Sequence, residues 1–127
     1  MIRVLAIAAV LLLAAPAASQ AHGETTRERC DRLGGSNMEL MQCFSGPRIA
    51  EDARLNRVYQ ALMARLKPAQ RLALRNEQRA WIKDRDAECM PYYDETKYGQ
   101  QGKLDGEECM TDRTRDRADE LARIGRR

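Results

Sequence analysis

Histidine, phenylalanine and tryptophan each occur once in this chain of 127 residues, and aromatic residues make up only 5% of it. The one histidine, His22, falls at the expected start of the mature chain, where terminal residues are poorly ordered, so no Ser–His–acid constellation is available. No two cysteines are spaced C-x-x-C, which argues against a thioredoxin-like redox motif and, with so little histidine, against a zinc site. No glycine-rich phosphate loop is present. Glycoside hydrolysis needs two carboxylates facing each other across a cleft; Glu77 and Glu88 are there, but nothing marks them as a pair. The expectation is a protein that is not an enzyme, with no catalytic residues, no metal site and no cofactor. Strand signals are equally scarce, because no segment alternates apolar and polar residues over a useful length.

The N-terminus is the one strongly apolar stretch. Arg3 supplies a short positive region, Val4 to Ala15 is built from Leu, Ala, Val and Ile, Pro16 interrupts it, and Ser19-Gln20-Ala21 offers small residues for a signal peptidase. This is the secretory pattern, with cleavage expected after Ala21; cleavage after Ala17 or Ala18 also fits. The run is too short for a good membrane span, and no cysteine follows it to carry a lipid. Residues 1–21 are therefore expected to be a cleaved signal peptide. Residues 22–127 are expected to form one exported domain, periplasmic or secreted, with its core at about 30–124. Roughly a hundred residues make a single domain with a modest core, a size at which covalent ties are common. Without Arg3 the net charge is near +2, too weak to argue for nucleic acid or membranes.

What is present reads as helix. Ser36-Asn37-Met38-Glu39 is a capping box that starts a short helix carrying Met38, Met41 and Phe44, and Gly46-Pro47 is expected to end or sharply kink it. A second helix over about 48–66 has an apolar stripe of Leu55, Tyr59, Leu62 and Leu66, widened by Val58. Lys67-Pro68 makes a turn into a third helix over about 69–89, whose stripe is Leu74, Gln78, Trp81 and Arg85, with Ile82 alongside. The tight turn makes these two helices an antiparallel hairpin. Asp52 then faces Arg85 across the seam, as a candidate bidentate pair, with Asn56 and Gln78 nearby. The seam residues Asp52, Asn56, Tyr59, Gln78, Trp81 and Arg85 are read mainly as a polar layer that fixes helix register. The fold class expected is all-α: a small disulfide-linked bundle of three to four helices built on this hairpin.

Four cysteines in an exported chain read as two disulfides. On the hairpin Cys89 lies opposite residue 46, so Cys43–Cys89 is preferred, leaving Cys30–Cys109; the other two pairings remain open. The stretch Met90 to Gly102 is bracketed by Pro and Gly and is expected to be a loop, followed by a last helix beginning after Asp105-Gly106 with Met110, Thr114, Ala118, Leu121 and Ile124 on its apolar face. Residues 84–112 hold nine acids against three bases, and three of the four tyrosines. Tyr92, Tyr93, Asp94, Glu95, Tyr98, Asp105, Glu107 and Glu108 are the candidate partner-binding residues, since tyrosines give large contact area and complementary charge speeds encounter.

Ala50-Glu51-Asp52-Ala53-Arg54-Leu55-Asn56-Arg57-Val58-Tyr59 resembles the A-D-x-x-L-N-x-x-Y signature of the lysozyme inhibitor LprI-like family. Gln78-Arg79-Ala80-Trp81-Ile82-Lys83-Asp84-Arg85-Asp86-Ala87-Glu88-Cys89 is similar to its Q-R-A-W-I-x-x-R-D-x-x-C signature, and Met38 to Cys43 to its M-x-x-C motif. Cys109, Thr114, Arg117 and Leu121 match the spacing of its closing helix, so the resemblance covers about residues 30–121. Two features depart from the family's pattern: Ser45-Gly46-Pro47 interrupts what is usually helix, and no lipid-attachment cysteine is present. The resemblance implies a compact disulfide-linked helical domain of the periplasm or exterior. It also implies a protein partner, host lysozyme, which such a domain would bind and block; the acidic, tyrosine-rich stretch, read from composition, is the surface expected to make that contact. The alternative is a non-inhibitory structural or adaptor module of the bacterial cell envelope.

Overall fold

A computed structural model describes residues 23–126; the signal peptide expectation falls outside these residues. Among them the chain forms four α-helices and no strand: α1 (Thr26–Leu33), α2 (Asn37–Arg65), α3 (Pro68–Cys89) and α4 (Glu95–Gly125), with a 3-10 turn (Met90–Tyr93) between the last two. The all-α, disulfide-linked bundle expected from sequence is what the chain builds.

Helix starts follow the side chains that can satisfy free backbone amides. Ser36 caps α2 as expected: Glu39 N–H donates to its hydroxyl at 3.4 Å, and the Ser36 N–H donates to the Glu39 carboxylate at 2.8 Å. The same box, Thr25 with Glu28, starts α1, a helix the sequence reading missed although Thr-x-x-Glu was there to find. Pro68 occupies the first turn of α3, where a missing N–H costs nothing.

Two expected breaks are corrected. The chain does not stop at Gly46-Pro47; α2 runs straight through Pro47. An interior proline costs about 3 kcal/mol. Tertiary ties on both sides offset it: Phe44 is fully buried, Cys43 is bridged to α1, and Arg48 is ion-paired to α4. Nor is 90–102 an open loop. Asp94 caps α4 by accepting from Thr96 N–H at 3.0 Å, so the helix begins about eleven residues before Gly106, with one kink at Gly99, whose φ of 62° suits glycine.

Cross-links between α2 and α4 climb both helices in the same direction: Arg48–Glu107, Glu51–Arg115, Arg54–Asp119 and Arg65 to the Gly125 carbonyl. The two are therefore parallel, and they form the most extensive helix contact. The turn at Leu66-Lys67 sends α3 back antiparallel, but α3 packs more on α4 than on α2. The core is Leu55, Leu62, Leu74, Ala118 and Leu121, ringed by Val58, Tyr59, Met63, Leu66 and Trp81. The stripe of α2 from Leu55 to Leu66, Leu74 and Trp81 of α3, and Ala118 and Leu121 of α4 are in it; Phe44, Met110 and Thr114 are buried outside this cluster, and Met38, Ile82 and Ile124 are instead exposed.

The preferred disulfides, Cys43–Cys89 and Cys30–Cys109, are overturned. The bridges are Cys30–Cys43, tying α1 to α2, and Cys89–Cys109, tying the end of α3 to α4. The expectation set Cys89 against α2 alone. In fact α4 lies beside the end of α3 and brings Cys109 to it, with 5.6 Å between the Cα atoms. The unforeseen α1 returns Cys30 to Cys43.

Non-reducing peptide mapping should therefore recover 30–43 and 89–109 linked peptides, and replacing Cys89 and Cys109 by Ser should lower unfolding stability by about 3 kcal/mol in the loop-entropy picture. A second outcome concerns pH. The backbone N–H groups of Thr25 and Ser36, then their hydroxyls, hold the Glu28 and Glu39 carboxylates below the ordinary value of 4.5. In this range the unfolded chain binds more protons than the folded one. Their contribution is thus complete above about pH 5 and is lost as the pH falls through their lowered folded values. Melting temperature should drop on acidification, and less steeply in E28Q/E39Q, whose amides still accept the capping bond without titrating.

Candidate functional site

The bundle leaves a cleft of about 360 Å³ where α2, the end of α3, the 3-10 turn and α4 converge. Arg48 and Asp52 line it from α2, one turn apart; Arg85, Asp86 and Met90 come from the end of α3 and the turn; Tyr93, Glu107 and Met110 close it. Glu107 is the most buried charge of the cleft, 5% exposed. It accepts from Arg48 Nε at 2.6 Å and from the Tyr93 hydroxyl at 2.9 Å. Burial, and then the hydrogen bond to this carboxylate, push the Tyr93 phenol well above its ordinary value, so it remains a proton-bearing donor. The Glu107 bond keeps the Arg48 guanidinium charged by raising its value further.

Asp52 and Arg85 do come together, at 3.8 Å between Oδ1 and Nη1, but not as the expected bidentate pair. Arg85 gives its two hydrogen bonds to Asp86, at 3.0 and 2.8 Å, while Asp52 accepts from Arg48 at 3.2 Å. With α2 unbroken, Arg48 stands one turn before Asp52 on the same face, a neighbour that the expected break at Pro47 concealed. The rest of the predicted seam is divided by α4. Gln78 accepts from Arg117 Nε at 2.9 Å, and the Trp81 ring lies 5.1 Å from the Arg85 guanidinium and 6.0 Å from that of Arg117. Tyr59 joins the apolar core, whereas Asn56 is exposed and takes no part in the seam. Arg117, 4% exposed and bonded also to Glu77 and Glu120, is the buried cation sequence reasoning passed over. Its position between Thr114 and Leu121 on the apolar face of the last helix was the available signal.

The candidate partner-binding residues separate into two groups. Tyr93, half-buried, and Glu107, buried, turn into the cleft and bond to each other there, so Glu107 is corrected: it is not surface. Tyr92 and Tyr98 remain accessible, at 36% and 39%, with ring centroids 5.7 Å apart and the Lys97 ammonium 5.0 Å from the Tyr98 ring. Of the acids, Asp94 caps α4, Glu95 pairs with Lys103 at 2.9 Å, and Asp105 and Glu108 both grip Arg27 of α1, at 2.7 and 2.5 Å. The turn bearing Tyr92 lies close against α4 because Gly106 has no side chain; a Cβ there would come within 2.6 Å of the Tyr93 ring. The Cys89–Cys109 bridge fixes it from the other side. Among the described residues no group of three or more His, Cys, Asp or Glu is placed to hold a metal, and all four cysteines are bridged.

A family model described as Lysozyme inhibitor LprI matches residues 30–121. The matched stretch contains every cleft residue, both disulfides and the exposed Tyr92 and Tyr98, and it leaves out Arg27. No curated protein and no solved structure matches the chain.

The cleft network predicts a stability hierarchy. R48M strands the Glu107 carboxylate with only a phenol for company and should cost about 2–4 kcal/mol, read from the urea midpoint at unchanged slope. Adding E107Q to R48M should recover part of that loss, because the neutral amide no longer needs a cation.

Proposed function

The chain belongs to the lysozyme inhibitor LprI family, and on that premise we propose that it binds host lysozyme and occludes its sugar-binding cleft with the surface formed by Tyr92 of the 3-10 turn and Tyr98 of the first turn of α4. Family membership across residues 30–121 carries the class of activity. The choice of surface is supported by the exposed Tyr92–Tyr98 pair. Two large rings stand side by side on a segment fixed by a disulfide, by close packing against Gly106 and by the Tyr93–Glu107 bond. A partner meeting that surface finds it already ordered, so little conformational entropy is lost on binding. Tyrosine anchors of this kind dominate protein interfaces, while surrounding contacts mainly exclude water. Asp94 and Glu95, next to the rings in sequence, are already engaged, Asp94 as the α4 cap and Glu95 with Lys103, so the two rings carry the surface. An inhibitor of this type supplies no catalytic group. It acts by covering the two carboxylates on which lysozyme depends. An extracytoplasmic setting suits two disulfides and a set of described helices none of which is long and apolar enough to cross a membrane.

The test is a cell-wall lysis assay with purified protein in large molar excess over lysozyme. Lysis should slow, and Y92A/Y98A should weaken inhibition by roughly thirtyfold for each ring that acts as a hot spot, at an unchanged melting temperature. Undiminished lysis with the folded wild-type protein removes the proposal for that lysozyme. Full inhibition by Y92A/Y98A keeps the activity and moves the surface elsewhere.

A further inference from the structure

We propose that the outward face of α3 is a docking surface for an anionic lipid bilayer. Only Leu74 and Cys89 of this 22-residue helix are buried, so most of it faces away from the bundle. Arg71, Arg75, Arg79 and Lys83 recur at intervals of four and are all exposed. Each step of four advances about 6 Å along a helix and about 40° around it, which places the four cations in one stripe about 18 Å long. Of the thirteen other described arginines, eight reach carboxylates, namely Arg27, Arg32, Arg48, Arg54, Arg85, Arg113, Arg115 and Arg117. Among the described residues none of the four stripe cations has a carboxylate within ion-pair distance; Arg71 donates only to the Leu66 carbonyl. Three of the four acids of α3 are committed to other arginines, and the fourth, Asp84, is exposed without such a partner. Glu77 goes to Arg117 and Glu88 to Arg113, both on α4, and Asp86 goes to Arg85. Three acids are therefore spent on α4 and on its own Arg85, Asp84 lies off the stripe about 100° around the helix from Lys83, and the cations are left outward.

Like charges repeated at four-residue spacing repel one another in water, and an anionic surface turns that repulsion into attraction. Two apolar side chains sit within the same arc, Leu72 at 56% and Ile82 at 39% exposure. A soluble polyanion would make use of the cations and ignore these two. A bilayer takes both, cations to the phosphate headgroups and apolar groups to the acyl boundary. The small net charge of the whole chain hides this segregation.

The experiment is co-sedimentation of the chain beginning at His22, which retains every residue of the bundle, with vesicles of phosphatidylcholine alone or mixed with phosphatidylglycerol. Binding is expected to the mixed vesicles only and to weaken with salt. R75Q/R79Q should reduce vesicle affinity roughly twenty-five-fold, at roughly fivefold per cation near an anionic surface. L72S/I82S should weaken vesicle binding while leaving retention on heparin unchanged. No binding to the mixed vesicles, equal binding to phosphatidylcholine, or an R75Q/R79Q variant indistinguishable from wild type overturns the proposal. Unchanged vesicle affinity in L72S/I82S also overturns it, in favour of a linear polyanion. The stripe is separate from the Tyr92–Tyr98 surface, so R75Q/R79Q should inhibit lysozyme as wild type does, and either reading can fail alone.

Discussion

The buried Glu107 carboxylate sets the geometry around it. A charge this deep is tolerable only when its oxygens are occupied, and the two groups that occupy them come from different parts of the chain, Arg48 of α2 and Tyr93 of the 3-10 turn. Satisfying Glu107 therefore fixes α2 against α4 in parallel alignment and presses the turn onto α4 at once. The alignment brings Leu55 and Leu62 beside Ala118 and Leu121, so the polar contact and the apolar core depend on the same register. It also keeps α2 helical past Pro47, because Arg48 must stay in line with Asp52 to complete the chain of charges.

Local signals were legible where the side chain and the backbone group it satisfies lie within four residues. Ser36, the Leu55–Leu66 stripe, Pro68 and the Leu74–Trp81 stripe all stand as read. Long-range relations were legible only as far as they followed from the short turn between α2 and α3; the approach of Asp52 to Arg85 is one such case. The hairpin reading had no place for a third long helix beside both others. The seam therefore divides differently, Gln78 turns to Arg117, and Cys89 finds Cys109. Pro47 and the three glycines at 99, 102 and 106 misled for a common reason. They are helix breakers by intrinsic preference; Gly99 does kink the helix, whereas Gly102 and Gly106 stay helical where the Tyr92 backbone and the Tyr93 ring come close, and tertiary ties carry α2 through Pro47.

The candidate site was half visible. Composition picked out the tyrosine-rich acidic stretch, but charge counting cannot tell a free acid from one already held. Asp105 and Glu108 are held by Arg27, from a helix that was not anticipated, and Glu107 is held by Arg48. What is left for a partner is narrower than the sequence suggested, and better ordered: two rings and a few rim charges. The molecule thus has an aromatic surface at the disulfide-bonded end and a cationic stripe along α3.

The bridges join neighbours in chain order, first with second and third with fourth. Each closes a short segment, with separations of 13 and 20 residues. Short loops close quickly and with modest entropic loss. For a polypeptide delivered from its N-terminus, the first crosslink can be made as soon as residue 43 is available, before the cysteines of the second have arrived. An oxidant acting in order of arrival then makes the native pairs directly, and maturation need not wait on an isomerase to reshuffle mistaken ones.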